Sequence, residues 1–143
     1  MARLAIIGAG LMGEDHAHIV SKDLSGATLQ VVCDMDIERA KTVANATGAK
    51  DVATDAQAVI ARPDVDAVIV ASPDFTHAPL SKACIELGKP ILCEKPLSQS
   101  SSECLEVIEA EQRVGKQLVM LGFMRRYDQS YIEMRQALTN GSL

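Results

Sequence analysis

The chain has 143 residues, 48% of them hydrophobic and 23% charged, with a formal net charge of −5. That length suits one core rather than two generous domains, and the acidic balance, with no Lys/Arg cluster beyond Arg125-Arg126, excludes the usual nucleic-acid partner. No apolar run reaches transmembrane length and the N-terminus carries no basic region ahead of a long apolar core, so no membrane association is expected and the cytoplasm is the expected compartment.

From the N-terminus, residues 4–7 form a continuous apolar run that reads as a strand, and Met12, His16, Ile19 and Val20 follow at helical spacing. Residues 29–33 read as the second strand and Ile37, Ala40 and Ala44 as the second helix, with a weak strand over 51–53 completing a first β-α-β-α-β half. A strand at 67–71 precedes the stripe Leu80, Ala83, Cys84 and Leu87; a strand at 91–93 precedes the weaker stripe Leu105, Ile108 and Gln112; a strand at 118–121 follows. The last helix is predicted over 130–139, with Tyr131, Met134 and Leu138 on one stripe. Continuous rather than alternating strands are covered on both faces, so the alternation predicts a parallel sheet between helices, with right-handed crossovers. Gly26, Gly48, Gly88 and Gly115 each fall just after a helical stretch, where a left-handed residue ends a helix cheaply. In "SQSSSE", residues 98–103, a Ser followed three positions later by Glu predicts a capped helix starting near Ser100.

Gly8, Gly10 and Gly13 form G-x-G-x-x-G between the first strand and the first helix, the context that motif requires. Gly8 allows the tight turn, Gly10 lets the backbone approach a pyrophosphate, and Gly13 lets the helix pack closely. The free N–H groups at the helix start, those of Leu11 and Met12 among them, then face the phosphates, where the helix dipole also favours negative charge. A glycine turn without a ligand is the plainer alternative. Asp34 closes the second strand roughly 20 residues after the last glycine, where a carboxylate accepts from both ribose hydroxyls of an adenosine, which suits NAD. A 2′-phosphate would meet that carboxylate, and no Arg or Lys follows until Arg39, so NADP is disfavoured. Asp34 also reads as a helix N-cap ahead of "MDIERA", an end that Asp36 serves equally well. The fold class implied is α/β, a doubly wound Rossmann sheet of about six strands ordered 3-2-1-4-5-6.

"VIVASPDFTH", residues 68–77, ends at the C-terminal edge of the sheet beside the point where strand order reverses, so Ser72, Pro73 and His77 are expected at the cofactor. Asp74 and Thr76 read equally as caps, and a histidine in a first helical turn is more often satisfied structurally than a catalytic base. In "PILCEKPL", residues 90–97, Glu94 and Lys95 close the next strand, and a lysine there can hydrogen-bond a substrate hydroxyl and stabilise alkoxide charge, with desolvation lowering its pKa. Whether the Lys95-Pro96 bond is cis stays open, and a bare E-K-P is also an ordinary surface turn. Cys33, Cys84, Cys93 and Cys104 show neither a C-x-x-C pair nor metal-ligand spacing and read as reduced core residues, so no metal is expected. With two Phe, two Tyr and no Trp, the core is aliphatic and offers little surface for stacking bases.

Taken in order, "GAGLMG", "DMDIERA", "ASPDFTHAPL", "GKPILCEKPL" and "GFMRRYD" resemble the family of glucose-fructose oxidoreductase, inositol 2-dehydrogenase and the rhizopine-catabolism oxidoreductases. "GFMRRYD" draws the resemblance toward the inositol 2-dehydrogenase branch. The resemblance implies that NAD accepts a hydride from a carbinol of inositol or a related sugar. It makes Lys95 the active-site lysine in contact with substrate, Glu94 the acidic residue beside it at the cofactor, and Arg125 a substrate contact. Arg126 and Tyr127 follow Arg125, with a surface loop as their alternative. Family members carry a second α/β domain that covers the nicotinamide, supplies a histidine and an aspartate, and forms most subunit contacts. That part has no counterpart here, and His16, His18 and His77 all fall within the nucleotide domain. The expected division is therefore a cofactor domain over residues 1–122 and, over 123–143, the start of a connection to the substrate domain. Such a chain is expected to bind NAD with little or no turnover, and its homo-oligomeric state is open. The alternatives are a stand-alone NAD(H)-binding sensor or interaction module and, further off, an S-adenosylmethionine fold, in which "EKP" has no evident role.

Overall fold

The continuous apolar runs form six parallel strands in the computed structural model, which describes residues 1–142: β1 (Ala2–Ile7), β2 (Ala27–Cys33), β3 (Asp51–Ala53), β4 (Ala67–Val70), β5 (Ile91–Cys93) and β6 (Val119–Leu121). They make one sheet in the order β3-β2-β1-β4-β5-β6, the doubly wound order expected. The helices are α1 (Leu11–Lys22), α2 (Ile37–Thr47), α3 (Ala56–Ala61), α4 (His77–Glu86), α5 (Ser101–Val114) and α6 (Gln129–Thr139). The short α3, capped by Asp55 through the Ala58 amide, went unseen in the sequence because six residues give too little helical period. Among the described residues no helix is long and apolar enough to cross a membrane.

Alternate residues of a strand point to opposite faces. Ala5 and Ile7 enter one core with Val31, Cys33, Val68, Val70 and Leu80, whereas Ile6 enters the other with Leu29, Val32, Ala17, Val20 and Ala40. Burial on both faces is why these strands read as unbroken apolar runs, at roughly 1.5–3 kcal/mol for each large side chain fully buried. The edge strand β6 departs from that expectation, because Met120 is 50% exposed. The following helix α6 packs on the 3-10 turn Met124–Arg126 and leaves one face of β6 open, so its stripe of Tyr131, Met134 and Leu138 is exposed.

Two helix faces also differ from the reading by spacing. The inward face of α1 is Gly13, Ala17 and Val20, while Met12 and Ile19 point out. In α5 the small residues Val107 and Ala110 meet Ala78 and Ile85 of α4, and Leu105 and Ile108 stay 58% and 46% exposed. Close helix approach selects small side chains, which hydrophobic spacing alone underweights. The start of α5 is as expected, but its cap is not: Ser100 makes no capping bond and pairs with Ser102, while the Ser98 hydroxyl donates to Glu103 and accepts from the Ser100 amide.

At the opposite, N-terminal edge of the sheet, the Arg62 guanidinium donates to Asp51 (2.6 Å) and Asp64 (2.8 Å), and that of Arg3 to Asp66 (2.7 Å). The arginine hydrogen bonds hold the Asp64 and Asp66 carboxyls well below the usual carboxylate range. A depressed carboxyl stabilises the fold at every pH above its unfolded value and loses that contribution as pH falls through its folded value. Melting temperature is therefore expected to be level from neutral pH down to about pH 4 and to fall below it. Thermal unfolding of the chain and of the Arg3→Gln/Arg62→Gln variant checks this; the variant is expected to show a much shallower acid loss, and an identical one would contradict the assignment.

Candidate functional site

Strand order reverses between β1 and β4, and the turn leaving β1 sits at that point. Gly8 has φ +93°, and a Cβ there would lie 2.5 Å from the Ser72 nitrogen and 2.6 Å from Ala71 carbon. A Cβ on Gly13 would lie 1.8 Å from the Gly8 oxygen, so α1 rests directly on the turn. Gly10 differs: its φ is −73° and no atom comes within 4 Å of a Cβ built there. The fold itself does not require glycine at that position; the space it leaves faces outward. There the first-turn amides of α1, including those of Leu11 and Met12, have no acceptor within the helix and carry its positive dipole end.

The Asp34 carboxylate is built into this turn. Its Oδ2 accepts from the Ala9 amide (2.7 Å) and its Oδ1 from the Asp36 amide (2.9 Å). Asp36, not Asp34, caps α2, through the Glu38 and Arg39 amides. Each Asp34 oxygen keeps a lone pair for a hydroxyl donor. Beside it lies a cavity of about 460 Å³, lined by Gly8, Asp34, Met35, Arg39, Ser72, Pro73 and Phe75 among others. Two of these, Met35 and Phe75, were missed in the sequence, and Arg39 was weighed there only against a 2′-phosphate. Met35 and Phe75 are isolated apolar residues whose exposure is visible only in three dimensions, and the first turn of α2 brings the Arg39 guanidinium back to 3.7 Å from Asp34 Oδ1.

Ser72 and Pro73 follow β4 at the same edge. The Ser72 hydroxyl donates to Thr76 Oγ1 (2.6 Å), which in turn donates to the Pro73 carbonyl (2.6 Å). Asp74 accepts from Gln99 (2.7 Å) and from the Phe75 amide (2.9 Å), so these polar groups brace the loop, and neither Asp74 nor Thr76 caps α4. His77 is 2% exposed, with Nδ1 2.6 Å from the Pro96 carbonyl oxygen and Nε2 2.8 Å from that of Ser72. Both ring nitrogens therefore face main-chain carbonyls of the protein, where the sequence reading expects His77 at the cofactor.

Glu94 and Lys95 leave β5 one strand further on. The His16 Nε2–H donates to Glu94 Oε1 (2.9 Å), and a Cβ on Gly122 would lie 3.1 Å from the same oxygen, so α1 and the turn after β6 clamp this carboxylate. No local pattern links His16 to a residue 78 positions away. Lys95 is exposed and, among the described residues, its Nζ makes no hydrogen bond, so the desolvation expected around it is not supplied by this domain. The Lys95-Pro96 bond is cis. Arg125 does not line the Asp34 cavity; it donates to Asp128 (2.8 Å) and lies over the Tyr131 ring (5.0 Å), beside the exposed Arg126 and Tyr127. All four cysteines are free, and burial pushes the Cys33 and Cys93 thiols up to about 11 and that of Cys84 to about 12, which leaves them protonated and inert.

A family model described as an oxidoreductase family with an NAD-binding Rossmann fold matches residues 2–123. Inositol 2-dehydrogenase 4 of Saccharopolyspora erythraea is 48% identical over 141 residues, covering 99% of this chain and 42% of the relative. Inositol 2-dehydrogenase of Rhodococcus erythropolis is 40% identical over 141 residues, covering 99% and 41%. Among solved structures, myo-inositol dehydrogenase from Lactobacillus casei in complex with NAD(H) and myo-inositol superposes with a TM-score of 0.94 at 30% identity, over 99% of this chain and 42% of that one. The chain thus spans about two fifths of the length of the relatives it matches.

Proposed function

The chain belongs to the oxidoreductase family with an NAD-binding Rossmann fold, and from that premise we propose that it is the cofactor-binding half of an NAD-dependent dehydrogenase acting on a carbinol of an inositol or related sugar. One observation carries the assignment: Gly10, which the fold does not need as glycine, opens the amide end of α1 to the outside, beside a carboxylate anchored to the same turn. The residues fit NAD, with the Leu11 and Met12 amides toward the diphosphate, Asp34 toward the adenosine ribose, and Ser72 and Pro73 along the crevice wall. Bound there, NAD supplies a hydride acceptor.

This chain's own part in the reaction is to bind and orient. Glu94 is held by His16 at the end of β5, and Lys95 beside it holds the substrate hydroxyl and stabilises charge on its oxygen as the proton leaves. Arg125 adds a substrate contact once it leaves Asp128, and the proton passes to a histidine of the family's second domain. Residues 1–122 make the cofactor domain and 123–143 the start of the connection to the other half. The exposed apolar side chains of Met120, Met124, Tyr131 and Leu138 support that division over a stand-alone sensor, because a finished surface rarely leaves such a patch uncovered. The working compartment is the cytoplasm, and association between copies belongs to the other half.

Hydride transfer needs near-attack geometry in a site that excludes water, and an exposed lysine on an open crevice provides neither. Calorimetric titration with NADH, NADPH and S-adenosylmethionine, alongside an assay with NAD and myo-inositol, tests the proposal. NADH is expected to bind at least about tenfold more tightly than the other two, a difference of about 1.4 kcal/mol, with no turnover above background. Turnover of order 1 to 10³ per second would refute the incomplete-site reading, and preference for another ligand would refute the cofactor.

A further inference from the structure

We infer that His77 is a positioning residue whose buried ring ties the loop after β4 to the loop after β5, and so sets Lys95 against the glycine turn. Burying an imidazole is costly unless its nitrogens are satisfied, and here both partners are main-chain carbonyls from different loops, Ser72 and Pro96. A carbonyl oxygen only accepts, so each contact is a hydrogen bond through a ring N–H, and the tautomer decides which nitrogen supplies it. The nearest hydroxyls do not compete, because Ser72 and Thr76 donate to Thr76 and the Pro73 carbonyl. Asp74, Glu94 and Lys95 are the charged side chains of the two loops; Asp74 is taken up by Gln99 and Glu94 by His16. The second bridge between these segments, from Gln99 to Asp74, lies at the surface, which leaves His77 as the buried one.

What the ring connects gives it its role. The Ser72 nitrogen backs Gly8 so closely that a Cβ there would be at 2.5 Å, and Pro96 is bonded directly to Lys95. One continuous path therefore runs from the glycine turn through Ser72, the His77 ring and Pro96 to the lysine. A displacement of about 1 Å in such a path costs on the order of a hundredfold in a positioned reaction, and nothing in α4 itself requires histidine as its first residue. This inference rests on the reading of the crevice as an NAD site, with the adenylate end at Asp34 and the nicotinamide end at Lys95.

The test compares two probes on the 143-residue chain: NADH, which spans both loops, and ADP, which reaches only the glycine turn and the Asp34 cavity. For His77→Phe, which keeps a ring and loses both nitrogens, NADH affinity is expected to fall at least tenfold while ADP affinity changes less than twofold. Equal losses for both probes would reduce His77 to general support of the fold, and no loss for either would remove it from the site; each overturns the inference. Should the variant not fold, long-range 1H–15N spectra of the unmodified chain decide: a slowly exchanging ring N–H proton on His77 is expected, and its absence overturns the clamp. If the unmodified chain binds neither probe, the NAD reading fails instead, and the spectra alone judge the clamp.

Discussion

Gly10→Ala is expected to leave the fold intact and to weaken NADH binding at least a hundredfold, whereas Gly13→Ala is expected to unfold the chain. The two glycines lie three positions apart in one motif and are separated by what a methyl group would meet. At Gly13 it would lie 1.8 Å from a backbone oxygen, in a junction where strand and helix have nowhere to move. Damage of that kind falls in the exceptional class above about 4 kcal/mol, against a total stability of about 5–15 kcal/mol for a domain. At Gly10 the methyl enters open space from an ordinary φ of −73°, at a fold cost of no more than about 1 kcal/mol. A diphosphate seated on the α1 amides needs that space, and a hundredfold loss corresponds to about 2.7 kcal/mol. Circular dichroism melts with NADH titration check both variants. A Gly10→Ala chain that binds NADH normally would mean that no phosphate approaches this turn.

Asp34→Ser is expected to weaken NADH by about ten- to a hundredfold, or 1.4–2.7 kcal/mol, and to raise NADPH affinity. The carboxylate accepts the ribose hydroxyls and repels a 2′-phosphate, and its removal leaves the Arg39 guanidinium, now 3.7 Å away and also 3.6 Å from Asp36, to face that phosphate. Part of the NADH loss comes from the Ala9 amide, which loses its acceptor and loosens the turn. The gain in NADPH cannot arise that way, so it is the discriminating half of the experiment. Adding Arg39→Gln is expected to cancel the gain; NADH binding that survives Asp34→Ser unchanged would displace the ribose from this carboxylate.

Local sequence carries most of the sheet because a strand buried on both faces must be apolar at successive positions, as Ala5, Ile6 and Ile7 are. The glycine turn was legible for a related reason: backbone crowding excludes side chains at fixed spacing, which marks Gly8 and Gly13 in any chain that makes this junction. Helix faces were less legible, since close packing selects Gly13, Ala17 and Ala110 while larger residues such as Ile108 remain outside. The site's long-range pairs leave no local trace at all. His16 meets Glu94, and His77 joins Ser72 to Pro96, only because parallel strands deliver their C-terminal ends to one edge. Arg39 was underrated for a simpler cause: it is five residues from Asp34 along the chain, and the start of α2 folds its guanidinium back to that carboxylate.

The central claim is that the amides opening α1 and the Asp34 carboxylate together hold a dinucleotide. Diffraction from crystals of the chain grown with NADH tests it most directly. The expected density places the diphosphate over the Leu11 and Met12 amides, beside Gly10, with the adenosine ribose hydroxyls on Asp34. A crevice closed by its own side chains, or a dinucleotide bound elsewhere on the molecule, would contradict it.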